Sequence, residues 1–299
     1  MKKLTLLFVT LTFIIVNVQA QDDELVSKKG FKILPEAGDI AIGVDVAPFI
    51  NTLNFMGGTS TGPKMSFGDN LSIFGKYYAN ANMAYRVKFA MNRISSTENN
   101  YVLDQTVLGA TENDVVEDKG TFCYSKIAVS VGFEKRRGNS RLQGYYGADF
   151  FFQYANGSVG NTNLTATYGN AFGPSNTTPV STDFVNGGEF ATGKRTTEIN
   201  AGSSLGLGLR GFVGVEYFIA PKISLGGELG WGAAYQIGFD GSETTEEWDA
   251  VSNTVKTITE KNGGQDNQFI IGSTGATQGF FETNGWLGLT GNINIIFHF

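Results

Sequence analysis

Few residues of this chain are suited to proton transfer or metal binding. The 299 residues include one histidine, His298, and one cysteine, Cys123. Serine and aspartate hydrolases usually need a histidine as proton carrier, and His298 is the penultimate residue of this sequence. A lone thiol with no activating partner behaves as a small apolar residue. The residue types therefore predict a non-enzymatic protein with no metal and no cofactor.

A glycine motif and two acidic segments do not change this prediction. Residues Gly206 to Gly211 match the letters G-x-G-x-x-G, which bind a dinucleotide only where a strand turns into a helix. Here the glycines lie inside an alternating strand pattern, so we predict no nucleotide site. The carboxylates of 96–120 and 241–279 lack the ligand spacing of a calcium loop, and we interpret them as solvated charge.

The chain after residue 38 alternates between apolar and small or polar residues, the period of two that is typical of β-strands. The breaks between segments are alternately long and short, so the long loops fall at one end and the short turns at the other. Eight strands with no free edge form a closed antiparallel barrel. The segments lie near 39–51, 70–79, 82–95, 121–135, 142–156, 197–220, 222–240 and 280–299. The long loops lie near 52–69, 96–120, 157–196 and 241–279, and ten strands result if one of the last two hides a hairpin.

The two faces of each segment differ in size. Between Ile223 and Phe239 one parity carries Leu225, Trp231 and Tyr235, and the other is mostly glycine and alanine. The water-facing side of a sandwich would instead be rich in Lys, Glu and Thr. A bulky apolar face suits lipid and a small face suits a narrow interior, and only a closed β structure can span hydrocarbon. If the large residues formed an ordinary core, the chain would be a secreted soluble β protein.

Charged residues recur on the small-residue parity, which we interpret as the inward face. An eight-stranded barrel is just wide enough for its own side chains, and buried charges are tolerated when they are paired. We predict that these charges form a structural plug. The alternative is a polar pathway for small solutes through gaps left by the glycines. The predicted lumen charge network comprises Asp45, Lys76, Arg86, Lys88, Lys126, Glu134, Asp149, Arg210, Glu216 and Glu228.

The N-terminus has the pattern of an export signal. Lys2 and Lys3 precede an apolar run, and small residues lead up to Ala20. We predict a signal peptide at 1–20, a periplasmic leader at 21–38 and a barrel domain at 39–299. Charged residues make up 17% of the chain and its net charge is −6, so nucleic acid is not an expected partner. Aromatic residues near the short turns, including Tyr77–Tyr78, Tyr145–Tyr146 and Tyr217–Phe218, predict an interfacial belt.

The export signal, the eight alternating strands, the short turns, the long loops and the terminal phenylalanine resemble the small bacterial outer-membrane barrels of the OmpA, OmpX, OmpW and opacity-protein type. The resemblance covers 39–299 and carries no catalytic motif. It implies a Gram-negative outer membrane, with the short turns in the periplasm. Ile293, Ile295, Phe297 and Phe299 resemble the signal read by the barrel-assembly machinery, although Asn294 stands where that signal often has glycine.

On this interpretation the protein is a structural or binding scaffold that acts through its outer loops. Loops of this length are uncommon without a function of their own. Its expected partners are outer-membrane lipid, the barrel-assembly machinery during insertion, and another outer-membrane protein or a surface ligand. A passive small-solute channel is the alternative function, and a secreted soluble β protein is the third.

Overall fold

The computed structural model describes residues 25–46, 72–157, 161–190, 193–272 and 290–299. The predicted signal peptide, the loop 52–69 and the strand residues 47–51 and 280–289 lie outside this set. The described residues form strands, and they contain no helix long and apolar enough to cross a membrane. In chain order the strands are β1 (Ile40–Asp45), β2 (Ser72–Asn80), β3 (Met83–Leu103), β4 (Val115–Arg137), β5 (Leu142–Asn156), β6 (Asn163–Thr167), β7 (Lys194–Asn200), β8 (Ser203–Ala220), β9 (Ile223–Gly238), β10 (Gly241–Asp249), β11 (Thr254–Asn262), β12 (Gln268–Gly272) and β13 (Thr290–His298).

Eight of these strands close into an antiparallel barrel. The wall runs β1, β2, β3, β4, β5, β8, β9, β13 and returns to β1. At the closing seam Val44 lies opposite Ile295, and the Phe299 N–H donates to the Ile40 carbonyl at 2.7 Å. The predicted closed eight-stranded barrel is confirmed. We refer below to its short-turn end and its long-loop end.

The barrel presents its large apolar side chains to the outside. Leu225, Trp231 and Tyr235 are 39%, 52% and 49% exposed, whereas Arg210 and Glu216 on the opposite parity are buried. Because successive side chains of a strand point to opposite faces, outward and inward positions alternate along each described strand of the wall. The bulky apolar face of the sequence pattern is therefore the exterior of the barrel.

Strands β3 and β4 extend well beyond the predicted ends at 95 and 121. Their pairing continues without interruption to Leu103 opposite Val115. This outer part of the hairpin stands above the barrel, where both faces of β3 meet water from 93 to 101. The alternation of apolar residues therefore ends before the hydrogen-bonded ladder between β3 and β4 does, which is why the predicted strands are too short.

The segment 197–220, predicted as one strand, is divided between β7 and β8. Gly202 has a φ of 79°, a conformation that glycine adopts at little cost. The side chain of Asn163 accepts the Ala201 N–H and that of Asn200 accepts the Gly202 N–H, each at 3.0 Å. These bonds stabilise the bend, so β7 leaves the wall while β8 remains in it.

The long loops contribute a second layer of strands above the wall. Strands β6, β7, β10 and β11 continue the sheet outward from the upper part of β4, and we call them the outer sheet. The predicted extended pair around 251–259 corresponds to the hairpin of β10 and β11, and β12 pairs with β9. The outer sheet lies outside the closed wall, and β12 lies above β13 on the same edge of β9 without adding a position to the wall. The ten-stranded alternative is therefore wrong.

Candidate functional site

Four charged side chains form a closed ring near the short-turn end of the bore, which we call the lower ring. Lys76 Nζ lies 3.0 Å from Glu134 Oε1 and 3.2 Å from Glu216 Oε2. Arg136 Nη1 lies 2.9 Å from each of the same two oxygen atoms. The four residues come from β2, β4 and β8, and all are buried. Positive and negative charges thus alternate around the ring.

A second ring of the same kind, the upper ring, lies next to it. Arg86 Nη1 lies 2.7 Å from Glu228, and Arg86 Nε lies 3.4 Å from Asp149. Arg210 contacts the same two carboxylates, at 3.2 Å to Asp149 and 2.7 Å to Glu228. A 3.6 Å contact between Arg86 and Glu134 links the rings. Each ring holds two cations and two carboxylates, so their formal charges balance.

The rings include seven of the ten residues predicted for the lumen charge network. Lys88 and Lys126, also predicted, are buried at inward positions nearer the long-loop end. Asp45 lies on β1, and its side chain is outside the described part of the structure. Arg136 is absent from the predicted network, because the predicted strand ends at 135 whereas β4 continues to Arg137. Its spacing of two residues from Glu134 was the available signal, since such residues share a face.

Aromatic rings separate the charges of the bore. The Arg86 guanidinium lies 4.1 Å from the centre of the Phe212 ring, and Arg210 lies 5.5 Å from it on the same measure. Lys76 Nζ lies 4.8 Å from the centre of the Tyr145 ring. Cations attract the faces of aromatic rings, and the attraction is stronger where water is excluded. The aromatic rings therefore lie beside the cations of the bore and stabilise them.

At four inward glycines of the described wall, aromatic rings from neighbouring strands occupy the space that a side chain would take. A Cβ at Gly214 would lie 2.3 Å from the Tyr145 ring, and one at Gly208 would lie 2.3 Å from Phe151. Each ring is the direct cross-strand partner of the glycine that it covers. Two further pairs have the same relationship, Phe74 over Gly43 and Phe212 over Gly147.

The predicted interfacial belt is wrong for one member of each adjacent pair. Tyr77, Tyr146 and Tyr217 are exposed on the outer face. Their neighbours point the other way, since adjacent residues of a strand face opposite sides. These inward residues are Tyr78, Tyr145 and Phe218, at most 4% exposed. They close the lower bore instead of contacting the surroundings of the barrel.

His298 is buried at the short-turn end, beside a serine and a glutamate. Its Nε2 lies 3.0 Å from Ser224 Oγ and 3.1 Å from Glu216 Oε1. In a hydrolytic triad the acid contacts Nδ1 and the serine contacts Nε2. Here the acid and the serine both approach Nε2, and Ser224 donates to Glu216 at 2.6 Å. The three side chains therefore contact one another, in an arrangement that differs from a triad, and Ser224 is fully buried.

The described part of the leader folds back on itself at the short-turn end. Val26 forms a bridge with Lys32, and Ile33 is 1% exposed. Just before β1, Asp39 forms an ion pair with Lys222 in the turn between β8 and β9. Partial burial opposes ionisation of Asp39, but the hydrogen bonds from Lys222 and from the Glu36 N–H, together with the charge of Lys222, outweigh that effect and lower its pKa. The Gly38 N–H donates to the Tyr78 carbonyl at 2.8 Å, which attaches the end of the leader to the base of the barrel.

The loop before β7 is tightly packed against the outer sheet. Arg195 lies between Tyr168 and Phe172, at 4.4 and 4.5 Å from the ring centres, and its Nε lies 2.6 Å from Glu246. Asp118 is fully buried and accepts the Gly169 and Thr182 N–H groups at 2.8 and 2.7 Å. This end of the molecule is therefore a folded layer over the barrel.

The four residues of the predicted assembly signal lie on the outward face of β13. Phe297 and Phe299 are exposed, and Ile293 and Ile295 are half-buried. Between them Asn294 and Ile296 point inward, and Ile296 packs with Phe74 and Tyr78.

Within the described ranges, no three His, Cys, Asp or Glu side chains are grouped closely enough to hold a metal ion.

The closed wall, the charged bore and the apolar exterior define an eight-stranded antiparallel β-barrel. No family model and no curated protein matches the sequence. The chain is similar to the outer membrane protein OprG from Pseudomonas aeruginosa, with 10% identity, a TM-score of 0.30, and coverage of 89% of this chain and 98% of that one. It is also similar to a major outer membrane protein from Thermus thermophilus, with 16% identity, a TM-score of 0.33, and coverage of 88% and 100%. The chain is similar as well to Acinetobacter baumannii CarO, with 12% identity, a TM-score of 0.25, and coverage of 89% of this chain and 98% of that one.

Proposed function

We propose that this protein is a sealed outer-membrane barrel that acts as a non-enzymatic scaffold, with binding carried by its long-loop end. The observation that carries the proposal is the pair of charge rings, which occupy the bore together with the aromatic rings that cover its glycines. A barrel filled in this way offers its outer loops, and not its interior, for contact with other molecules.

The exterior supports a location in a membrane. Leu209 and Trp231 are 64% and 52% exposed on the outer face, and an apolar surface of this extent in water is a liability to aggregation. In lipid the same side chains are matched to their surroundings, and the pairing of β1 with β13 closes the described wall, as a β structure in hydrocarbon requires. These features argue against a secreted soluble β protein.

The bore argues against the alternative of a passive channel. A solute would have to displace buried ion pairs and ring–glycine contacts, since both rings bridge strands on different sides of the barrel. Breaking a buried ion pair by removing one partner costs about 3–5 kcal/mol. We expect the resting barrel to exclude small solutes.

Conductance of the purified full-length protein in a planar lipid bilayer tests the seal. We expect no reproducible single-channel steps, with an open porin measured in the same bilayers as the positive control. Reproducible steps from the wild-type protein would favour the channel. Heat-modifiable migration on gels checks that the inserted protein is folded, so that silence reflects a sealed barrel.

Removal of the β10–β11 hairpin tests the role of the loops. A variant in which 241–262 is replaced by a short glycine-serine linker retains all eight wall strands. We expect the variant to insert and to migrate as a folded barrel. We also expect it to lose at least part of the crosslinks that the wild-type protein forms with other molecules at the cell surface. If the variant keeps every crosslink, this hairpin has no role in binding.

A further inference from the structure

The turn between β3 and β4 exposes a set of large apolar side chains far from the barrel. Leu108 is 104% exposed and Val107 is 42% exposed. Tyr101, Leu103 and Val115, at the adjoining ends of the two strands, are 67%, 42% and 43% exposed. We call these five residues the hairpin tip. Exposed apolar groups that cluster in this way mark interaction sites more often than isolated ones do.

The turn that carries the hairpin tip is held by hydrogen bonds. The Asp104 N–H donates to the Asp114 carbonyl at 2.8 Å. Gln105 fixes the turn to the loop beside it, because its N–H donates to Asn170 Oδ1 at 3.0 Å and its Oε1 accepts the Val180 N–H at 2.8 Å. A preorganised apolar side chain binds a pocket with less loss of conformational entropy. Within the turn the Ala110 N–H donates to the Val107 carbonyl at 3.2 Å, so the backbone that carries Leu108 is held before a partner binds.

Carboxylates surround the hairpin tip. Asp104, Glu112 and Asp114 lie in the turn, and Glu117 lies opposite Tyr101 on β4. Hydrogen bonds from the Thr111 N–H and hydroxyl lower the pKa of Asp114, so it is charged at neutral pH. The nearest basic side chain in sequence is Lys119. A complementary surface has to carry positive charge around an apolar pocket.

Two other occupants fit the tip poorly. The outward positions from Arg93 to Asn99 are polar and separate Tyr101 from Met91, the last apolar residue of the wall on β3. Ten residues of strand correspond to about 33 Å, so the tip is distant from the lipid around the barrel. A second copy would bring the same carboxylates together, which is unfavourable.

We infer that the hairpin tip inserts into an apolar pocket, bordered by lysine or arginine side chains, on a partner protein at the cell surface. This inference deepens the proposed function, on which it rests, by naming the contact segment and the chemistry of the partner. Leu108 and Val107 supply the apolar anchor, and the carboxylates of the turn set the orientation of the partner.

Photocrosslinking in intact native cells tests the inference. Benzoylphenylalanine replaces Val107 in the full-length protein, and the crosslinked peptide is identified by mass spectrometry. We expect one partner, crosslinked through a peptide that carries Lys or Arg residues. Adding Leu108→Asp should reduce the yield by about tenfold, a loss typical of an interface anchor. Glu112→Lys with Glu117→Lys should also reduce it, with Glu98→Lys as the matched control.

The same reagent at Val251, which is 97% exposed in the turn between β10 and β11, distinguishes the two proposals. Crosslinks at Val251 without any at Val107 would overturn the hairpin-tip inference and leave the scaffold intact. No crosslinks at either position would overturn both. Crosslinks from Val107 only to lipid, to a second copy or to a peptide without basic residues would also contradict the inference.

Discussion

Arg86 and Glu228 meet across the bore of the barrel. Arg86 Nη1 lies 2.7 Å from Glu228 Oε2, and Nη2 lies 3.3 Å from Oε1, so the guanidinium and the carboxylate form a two-pronged pair. Arg86 comes from β3 and Glu228 from β9, which are four strands apart in either direction around the wall. A planar guanidinium suits this geometry better than an ammonium group does. The pair joins opposite sides of the barrel directly.

Removing Glu228 should destabilise the barrel strongly. Glu228→Ala leaves Arg86 and Arg210 without their shared carboxylate, and breaking a buried ion pair in this way costs about 3–5 kcal/mol. Urea unfolding in detergent measures the loss. Glu98→Ala, at an exposed position of β3, should change stability by less than about 0.5 kcal/mol. Equal effects for the two variants would contradict the role of the upper ring.

The ring–glycine contacts predict a contrast between two glycines of β8. Gly214→Ala places a Cβ 2.3 Å from Tyr145, whereas the nearest atom to a Cβ at Gly211 is 4.0 Å away. Because the Tyr145 ring has to move, Gly214→Ala should cost about 1–3 kcal/mol. Gly211→Ala should be close to neutral. Unfolding midpoints of the two variants in the same detergent make the comparison.

The outward position of Leu209 predicts sensitivity to charge. Leu209→Arg places a guanidinium on the apolar exterior, opposite Phe150 of β5. A cation near the middle of a bilayer costs about 2–4 kcal/mol in a transmembrane barrel. Folding into lipid vesicles should therefore be impaired. Val251→Arg, in an exposed turn of the outer sheet, should fold as the wild type does, and a similar defect there would point away from lipid.

The buried carboxylate of Asp118 should control the order of the loop before β7. Asp118→Ala leaves the Gly169 and Thr182 N–H groups without their acceptor, and an unsatisfied buried donor costs about 1–3 kcal/mol. We expect faster proteolytic cleavage within 168–190 while the barrel still migrates as folded. Asp118→Asn retains one acceptor oxygen and should show a smaller effect.

The ion pair of Asp39 and Lys222 predicts a small dependence of stability on pH. The pKa of Asp39 lies below its ordinary value of 3.8 in the folded state. Its contribution is therefore present above pH 3.8 and is lost as the pH falls through the lowered value. Asp39→Asn should reduce the difference between unfolding midpoints at pH 7 and pH 3. Lys222→Met should produce the same change, since it removes the other partner.

The wall of the barrel was predictable because it has two chemically different sides. In β9 the alternation of Leu225 and Trp231 with Gly226 and Glu228 specifies which residues face outward. The outer part of β3 lacks this contrast, as does the β10–β11 hairpin, so their strands were missed or only weakly indicated. The break at Gly202 depends in part on the hydrogen bond that the Ala201 N–H donates to Asn163, 38 residues earlier, and no local pattern reveals such a contact.

The charged positions of the bore followed from parity, but the contacts among them did not. Each ring joins residues far apart in sequence, such as Lys76 and Glu216, and these meet only when the wall closes. The aromatic rings that lie over the inward glycines were also not expected, because small residues were predicted for the inward face. Tyr145 lies on that face because Gly214, its partner across the strands, leaves space for the ring.

The hydrogen bonds between β1 and β13 have a consequence for biogenesis. They join residues from the two ends of the described wall, with Phe299 bonded to Ile40. The wall therefore cannot close before β13, the last strand in chain order, has paired with β1. Until then the edge of β1 and the part of β9 that β13 later covers are both unpaired, and open strand edges of this kind can pair with other chains.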